Sequence, residues 1–351
     1  MGRVDEVMDR ASDEGREAER RPRRRRRTAL RVVGVLVAVF AVLVLVAGTY
    51  LVNLGHTFDS RSHRIEQAFP AEASRPAAAD NEATNLLLLG SDSRGATTTE
   101  AGKGDASDQR SDTLIWVHIP ADRKHVYLMS VLRDTWVDIP GHGKAKINAA
   151  LADGGIPLAA QTLEQLFGVR LDHIALIDFE GFKAATDALG GVTVDVPVAF
   201  SARGHTFPKG RQTLDGDAAL AFVRERKAFT DGDYQRVRDQ QIFLKAVLGQ
   251  VLSVGTLTNP VRINELVDRV SPFVSVDTTL DATAMAGLAL SLDGVRAGDV
   301  RSFTLPTRGT GTSADGQSIV VADTAAIDAV GKAMREDTLG TWVAAHGTTA
   351  R

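Results

Sequence analysis

The chain has 351 residues, 44% of them apolar, a formal net charge of −3 and no cysteine. That length holds one large domain or two small ones, and the missing cysteines exclude disulfides, thiol nucleophiles and Cys-ligated zinc. Charge is unevenly spread: residues 1–31 carry eleven Arg against seven acids and leave the remainder at −7, too acidic for the broad cationic footprint of a polynucleotide binder.

In chain order, the first feature is "RRPRRRRR", Arg20 to Arg27, ahead of an uncharged run from Val32 to Val52. A helix of that length spans roughly 30 Å, about one hydrocarbon core. The arginines place the N-terminal side in the cytoplasm by the positive-inside rule. A cleaved signal peptide is the competing reading, but its apolar region is normally shorter, and no clear small-x-small site follows Leu51. The expected layout is a cytoplasmic tail (1–31), a transmembrane helix (32–54), a linker with Ala and Pro (55–84), an extracytoplasmic domain (85–338) and a tail (339–351). The expected location is the cell membrane, crossed once.

Beyond the linker, Leu86 to Leu89 predicts a buried strand closed by Gly90. The stretch 96–110 is rich in Gly, Thr and Asp and predicts a surface loop. Two apolar runs, 113–119 and 125–131, predict paired strands. The spacing at 156–168 and 180–191 predicts helices ending in Gly, with strands at 173–179 and 192–200. Helices are expected at 216–226 and from Tyr234 through Leu252, and the mixture continues beyond 255. Alternating helices and strands argue for a layered α/β domain with helices covering a central sheet.

Two Gly patterns carry nothing. "GSDSRG" and "GHGK" both lack the spacing of a phosphate loop, no G-x-S-x-G elbow occurs, and the eight His have no metal-ligand spacing. What stands out is polar residues at strand ends: Asp92 after the first strand, Arg110 and Asp112 before the second, Arg133 and Asp134 after the third. Singly, each is the kind of residue that caps a turn. Together, carboxylates can hold Mg²⁺ while guanidinium forks hold phosphate oxygens. The stretch "FVRERKAFTDGDYQRVRDQQ" adds Arg224, Arg226, Lys227, Arg236 and Arg238 within twenty residues. Arg236 and Gln240 share a helix face at i and i+4; Lys227 and Arg238 are assigned to a solvated face.

The blocks "LLLLGSDSR", "RSDTLIWVHI", "SVLRDTWVDIPGHGKAKINAALADGG", "HIALIDFEGFKAATDALGGVTVDVP", "LDGDAALAFVRER" and "DYQRVRDQQIFLKAV" resemble, in order, the signature blocks of the LytR-CpsA-Psr family. The resemblance runs from about Asn85 to Val247. It implies a three-layer α/β/α sandwich with a central mixed sheet, preceded by one transmembrane helix. It also implies transfer of an anionic glycopolymer from a polyprenyl-pyrophosphate carrier to a peptidoglycan hydroxyl, with Mg²⁺ assisting and the lipid in an apolar groove, placed here against 156–189. By motif position, Asp92 and Asp112 resemble the metal-associated acids. Arg110, Arg133, Arg224, Arg226, Arg236 and Gln240 resemble the pyrophosphate-gripping set. Asp134 is a further candidate proton acceptor beside Asp92 and Asp112, and Lys146 also lies in a motif block. One departure is Asp239, where the family often has Arg. The rival readings are a non-catalytic polyprenyl-glycolipid binder and a membrane-tethered regulator; the cytoplasmic tail is too short for a DNA-binding domain.

Overall fold

The structure, a computed structural model, describes residues 48–91, 111–229, 232–251, 253, 255 and 259–347, with backbone alone at Ser111, Asp112 and Asp233. The chain divides into two units, Met1–Gly55 and His56–Arg351. In the first, residues 48–55 are helical, with Leu51 and Val52 exposed. Among the described residues no helix is long and apolar enough to cross a membrane; most of the expected span, 32–47, lies outside them.

The second unit is a mixed α/β fold around a seven-stranded sheet. Its strands are β1 (His63–Ile65), β2 (Thr84–Ser91), β3 (Ser111–Ile119), β4 (Val126–Val131), β7 (His173–Asp178), β12 (Val274–Asp277) and β13 (Val300–Thr304), in the order β1-β12-β7-β2-β3-β4-β13. β2 pairs parallel with β7 and antiparallel with β3, and β3 pairs antiparallel with β4. The four consecutive leucines of β2 are explained by its place in the middle of the sheet, where both faces are covered. Leu87 and Leu89 enter one core, with Trp116, Phe167 and Val330. Leu86 and Leu88 face the other, with Ile115, Val117 and Leu128.

Helices fill in around this sheet. α1 (Ala149–Phe167), α7 (Thr324–Arg335) and α8 (Leu339–His346) supply the first core. α1 begins earlier than the sequence spacing suggests and is kinked at Gly154–Gly155, where Gly155 has φ 67°. α2 (Phe179–Ala188), α3 (Gly216–Arg224), α4 (Gly232–Val251), α5 (Pro260–Val270) and α6 (Ala282–Ser291) complete the helices used below. Asx residues begin five of them: Asp178, Asp215, Asn259, Asp281 and Asp323 each accept a backbone N–H of the first turn.

The remaining strands form smaller sheets. β5 (Thr135–Ile139), β6 (Gly143–Lys146), β14 (Thr307–Thr312) and β15 (Ser318–Ala322) make a four-stranded one, in the order β14-β15-β5-β6. β8 (Val192–Val196) pairs with β11 (Gly210–Leu214), and β9 (Phe200–Ala202) with β10 (His205–Phe207). The expected strand over 192–200 is therefore two strands with a break.

Two segments expected to be peripheral are built into this unit. Within 55–84, β1 pairs parallel with β12. In the same segment Arg75 makes a forked contact to Glu164 of α1, Nη2 to Oε1 at 2.6 Å and Nε to both oxygens at 3.1 Å, and stacks on Phe69. Glu164 is fully buried and also accepts from Leu171 N. Removing Arg75 would leave an unpaired buried charge, a loss of about 3–5 kcal/mol. Beyond Thr338, where a frayed tail was expected, α8 buries Leu339 and Val343.

A polar cluster inside the sheet sets the pairing of β2 with β3. Asn85 Oδ1 accepts from Trp116 Nε1 at 3.1 Å and lies 2.8 Å from His118 Nδ1, while Asn85 N donates to Asp172 Oδ2 at 2.7 Å. Because Asn85 Oδ1 can only accept, His118 carries its proton on Nδ1. Burial, helped by the Arg123 charge, pushes the pKa of His118 down to about 4. The unfolded chain takes up this proton near pH 6.5 and the folded one only near 4, so stability is full above the first value and falls through that window. The expected loss is about 3 kcal/mol by pH 4. Denaturant midpoints at pH 7 and pH 4.5 should differ by clearly less in His118→Gln than in the parent; equal differences would show that His118 is not the group responsible.

Candidate functional site

The sheet gathers one edge of chain ends. β2 and β7 run parallel and stop in register, Ser91 opposite Asp178. β3 enters beside them: Gly90 pairs with Thr113 and Ser91 with Ser111, which leaves Asp112 as the extra residue of a β-bulge. β4 ends at Val131, opposite Leu114, and Arg133 and Asp134 follow it. Asp92 and Arg110 adjoin Ser91 and Ser111 in sequence and lie outside the described residues, as does the Asp112 side chain.

Next to this edge lies a cavity of about 1260 Å³, larger than a drug-sized pocket. Its walls come from β2, β3, β7, α2, α3 and α4. Leu88, Ile115, Phe182, Leu220, Phe243, Leu244 and Val247 supply apolar surface, and Arg203, Arg224, Arg226, Lys227 and Arg236 supply cations. Four of the predicted phosphate-binding residues, Arg224, Arg226, Arg236 and Gln240, thus line one cavity. Arg133 does not line it. The expected lipid groove against 156–189 is confined to 177–189, because 156–176 is spent on the first core.

The cationic wall is assembled across a seam between α3 and α4. Gln240, nearly buried, donates from Nε2 to Val223 O at 3.2 Å, tying the middle of α4 to the last turn of α3. Arg224 follows at the end of α3 with its guanidinium stacked over Phe179, Cζ 4.1 Å from the ring centroid. Such stacking suits a planar, weakly hydrated cation in an apolar wall. Arg226 is fixed by close approach: a Cβ on Gly232 would meet Arg226 O at 2.6 Å. Arg236 is buried one turn along α4, and Gln241 Nε2 holds that helix to the sheet through Ser130 Oγ (3.0 Å) and Thr304 Oγ1 (3.2 Å).

Asp239 is fully buried, its Oδ1 accepting from Gln235 Nε2 at 2.8 Å. Arg238 is exposed and donates to Gln235 Oε1 at 3.0 Å, away from the cavity wall as expected. Lys227 is exposed, as its assignment to a solvated face has it, and also borders the cavity. Three further residues had no distinguishing sequence signal: Arg203 sits in a β-turn, Phe179 reads as a helix-starting aromatic, and Asp178 as a cap. Asp178 Oδ1 does cap α2, accepting from Gly181 N at 2.7 Å, while its Oδ2 is buried without a hydrogen-bond partner. Burial raises its pKa above the usual aspartate value.

Arg133 and Asp134 stand beside the seam. Leu132 packs against Val237, the neighbour of Arg236. Asp134 lies between two cations, 3.8 Å from Arg133 Nε and 3.6 Å from Lys146 Nζ. Among the described residues no group of three His, Asp or Glu is arranged to hold a metal ion.

Residues 49–336 match the LytR_cpsA_psr family. The chain belongs to this family. Among relatives, the cell wall biosynthesis protein LcpA of Corynebacterium glutamicum is 33% identical over 283 residues, covering 69% of this chain and 53% of LcpA. The polyisoprenyl-teichoic acid–peptidoglycan teichoic acid transferase TagU of Bacillus licheniformis is 30% identical over 67% of this chain and 74% of its own length. The chain therefore spans about half of LcpA and about three quarters of that TagU. Solved structures of the same fold include B. subtilis TagV, with TM-score 0.62 and 26% identity over 74% of this chain and 98% of TagV. TagT bound to LIIa-WTA gives TM-score 0.60 and 25% identity over 78% of this chain and 99% of TagT.

The seam can be tested without touching a charge. Gly232→Ala places a methyl against the Arg226 carbonyl, a backbone atom that cannot swing aside. We expect a folded protein with unchanged far-UV circular dichroism whose binding of a lipid pyrophosphate, read by calorimetry, is weakened at least tenfold. Unchanged affinity would show that Arg226 does not depend on this contact.

Proposed function

We propose that this LytR-CpsA-Psr protein transfers an anionic glycopolymer from a polyprenyl-pyrophosphate carrier to a peptidoglycan hydroxyl, leaving a phosphodiester. The observation that carries this reading is one cavity with an apolar body and three clustered arginines, since a lipid-linked pyrophosphate has the same two halves. The names of TagU and the TagT complex support the substrate class. The two cores on opposite faces of the sheet support the three-layer α/β/α arrangement. The uncharged run 32–52 behind its arginines supports a single transmembrane helix, with the catalytic domain outside the membrane.

In this reading Arg224, Arg226 and Arg236, with Arg133 at the sheet edge and Arg110 next to Ser111 in sequence, hold the pyrophosphate oxygens and take up the charge that grows in the transition state. Gln240 acts as a positioning residue, through its bond to Val223 O. The acceptor hydroxyl oxygen forms a bond to the sugar-side phosphorus as the bridging P–O bond breaks, and polyprenyl phosphate leaves with the bond's electrons. The hydroxyl proton passes to a carboxylate, one of Asp92, Asp112 and Asp134.

Mg²⁺ fits the donor chemistry the sequence offers here: Asp112 follows Ser111 and Asp92 follows Ser91, whose backbones pair, and carboxylates are the hard oxygen donors this ion takes. They would hold the ion, which when bound supplies charge neutralisation at the phosphate oxygens.

The decisive assay incubates the chain with a polyprenyl-pyrophosphate glycan and a peptidoglycan fragment and detects the phosphodiester by mass spectrometry. Arg224→Ala and Arg236→Ala should each slow transfer by roughly a hundredfold, the worth of charge-assisted hydrogen bonds in a dry site, with thermal unfolding retained. Near-parental transfer by both would sink the assignment. EDTA should slow the parent, with recovery on adding Mg²⁺; indifference to the chelator would remove the metal from the reaction. Binding without turnover under all conditions would instead favour a glycolipid-binding role.

A further inference from the structure

We infer that the outward face of α6 rests on a lipid bilayer. The inference depends on the membrane span proposed above and adds the orientation of the domain that the span holds.

Residues 282–292, "ATAMAGLALSL", carry no charge in an exported region whose net charge is −7. α6 lies within them and has no buried residue. Its inward side, Ala282, Ala284 and Leu288, packs against the second core. Met285, Ala286, Ala289 and Leu290 fall at i, i+1, i+4 and i+5, which is one helical face. All four are exposed, Leu290 by 75%. A contiguous apolar face of this kind marks an interaction surface, and no other described residue covers it.

The chain's own path indicates the partner. Phe58 is buried in the same core patch as Ala282, Ala284 and Leu288, Asp59 Oδ1 accepts from Ala282 N at 3.1 Å, and Arg64 Nη1 donates to Leu280 O at 3.1 Å. The apolar run ends at Val52, six residues before Phe58, and six residues reach at most about 20 Å. A span ending there keeps Phe58, and with it the core patch that α6 covers, within that reach of the membrane surface. Apolar side chains on one helical face then settle at the boundary between headgroups and acyl chains. The cavity lies on the same side: Leu88 and Leu244 belong both to its wall and to the core patch beneath α6. An isoprenoid tail entering from the bilayer would meet apolar surface along its way.

The absence of cysteine allows a direct test on the full chain in lipid nanodiscs of phosphatidylethanolamine and phosphatidylglycerol. Single cysteines at Leu290→Cys and Met285→Cys, with Gln317→Cys on the exposed β14–β15 turn as reference, receive an environment-sensitive fluorophore. Doxyl-labelled lipid should quench the probes at 285 and 290 at least threefold more than at 317, and aqueous iodide the reverse. Equal iodide quenching at all three positions, in chain that co-elutes with the disc, would overturn this inference and leave the membrane span standing. Failure to co-elute would overturn both. Shielding from iodide without lipid quenching, relieved by dilution, would overturn it in favour of a second copy of the chain.

Discussion

Five cations in the wall of one cavity repel one another, so the segments bearing them, two helices, a turn and the loop after α3, must be held from separating. That constraint is met by the seam between α3 and α4. The Gln240–Val223 hydrogen bond joins the helices midway, and Gly232 admits the Arg226 backbone to a distance no side chain would allow. Phe179 gives Arg224 an apolar platform. Each contact uses a different kind of force, so loosening one leaves the others in place, while the spacing of the guanidinium groups depends on all of them. Anchoring α4 to β4 and β13 through Gln241 passes this rigidity to the sheet.

The buried Asp239 clarifies a departure visible in the sequence. At a position where the family often has Arg, the chain places a carboxylate in the interior against Gln235. An arginine here would need a different arrangement of the neighbouring turn. Arg238, one residue earlier, points to solvent and does not replace it. The cationic wall instead includes Arg203 and Lys227, from the β9–β10 turn and the segment after α3.

Legibility from sequence followed the physical range of each signal. The Leu86–Leu89 run, the paired strands of 113–119 and 125–131, and the helices beginning near 216 and 234 all announce themselves by local apolar pattern, and they are where they were expected. β1, β6 and β14 do not: "HRI", "GKAK" and "TRGTGT" have too little apolar periodicity to stand out, and pairing alone makes them strands. The same holds for 55–84, whose order depends on Arg75 meeting Glu164, 89 residues away. In the site, Arg224, Arg226, Arg236 and Gln240 were legible because their spacing and motif context point together. Phe179 was not, because nothing local separates a platform from a core aromatic.

The parallel pairing of β1 with β12 has a consequence for proteolysis. A protease cutting between β1 and β2 would not release an intact domain, because β1 covers the edge of β12 and Phe58 fills the core beneath α6. The freed fragment would expose an unpaired strand edge and a hydrophobic hole, both of which favour aggregation. A cut there thus removes part of the fold together with everything that precedes it, because β1 and Phe58 belong to the domain and not to a spacer.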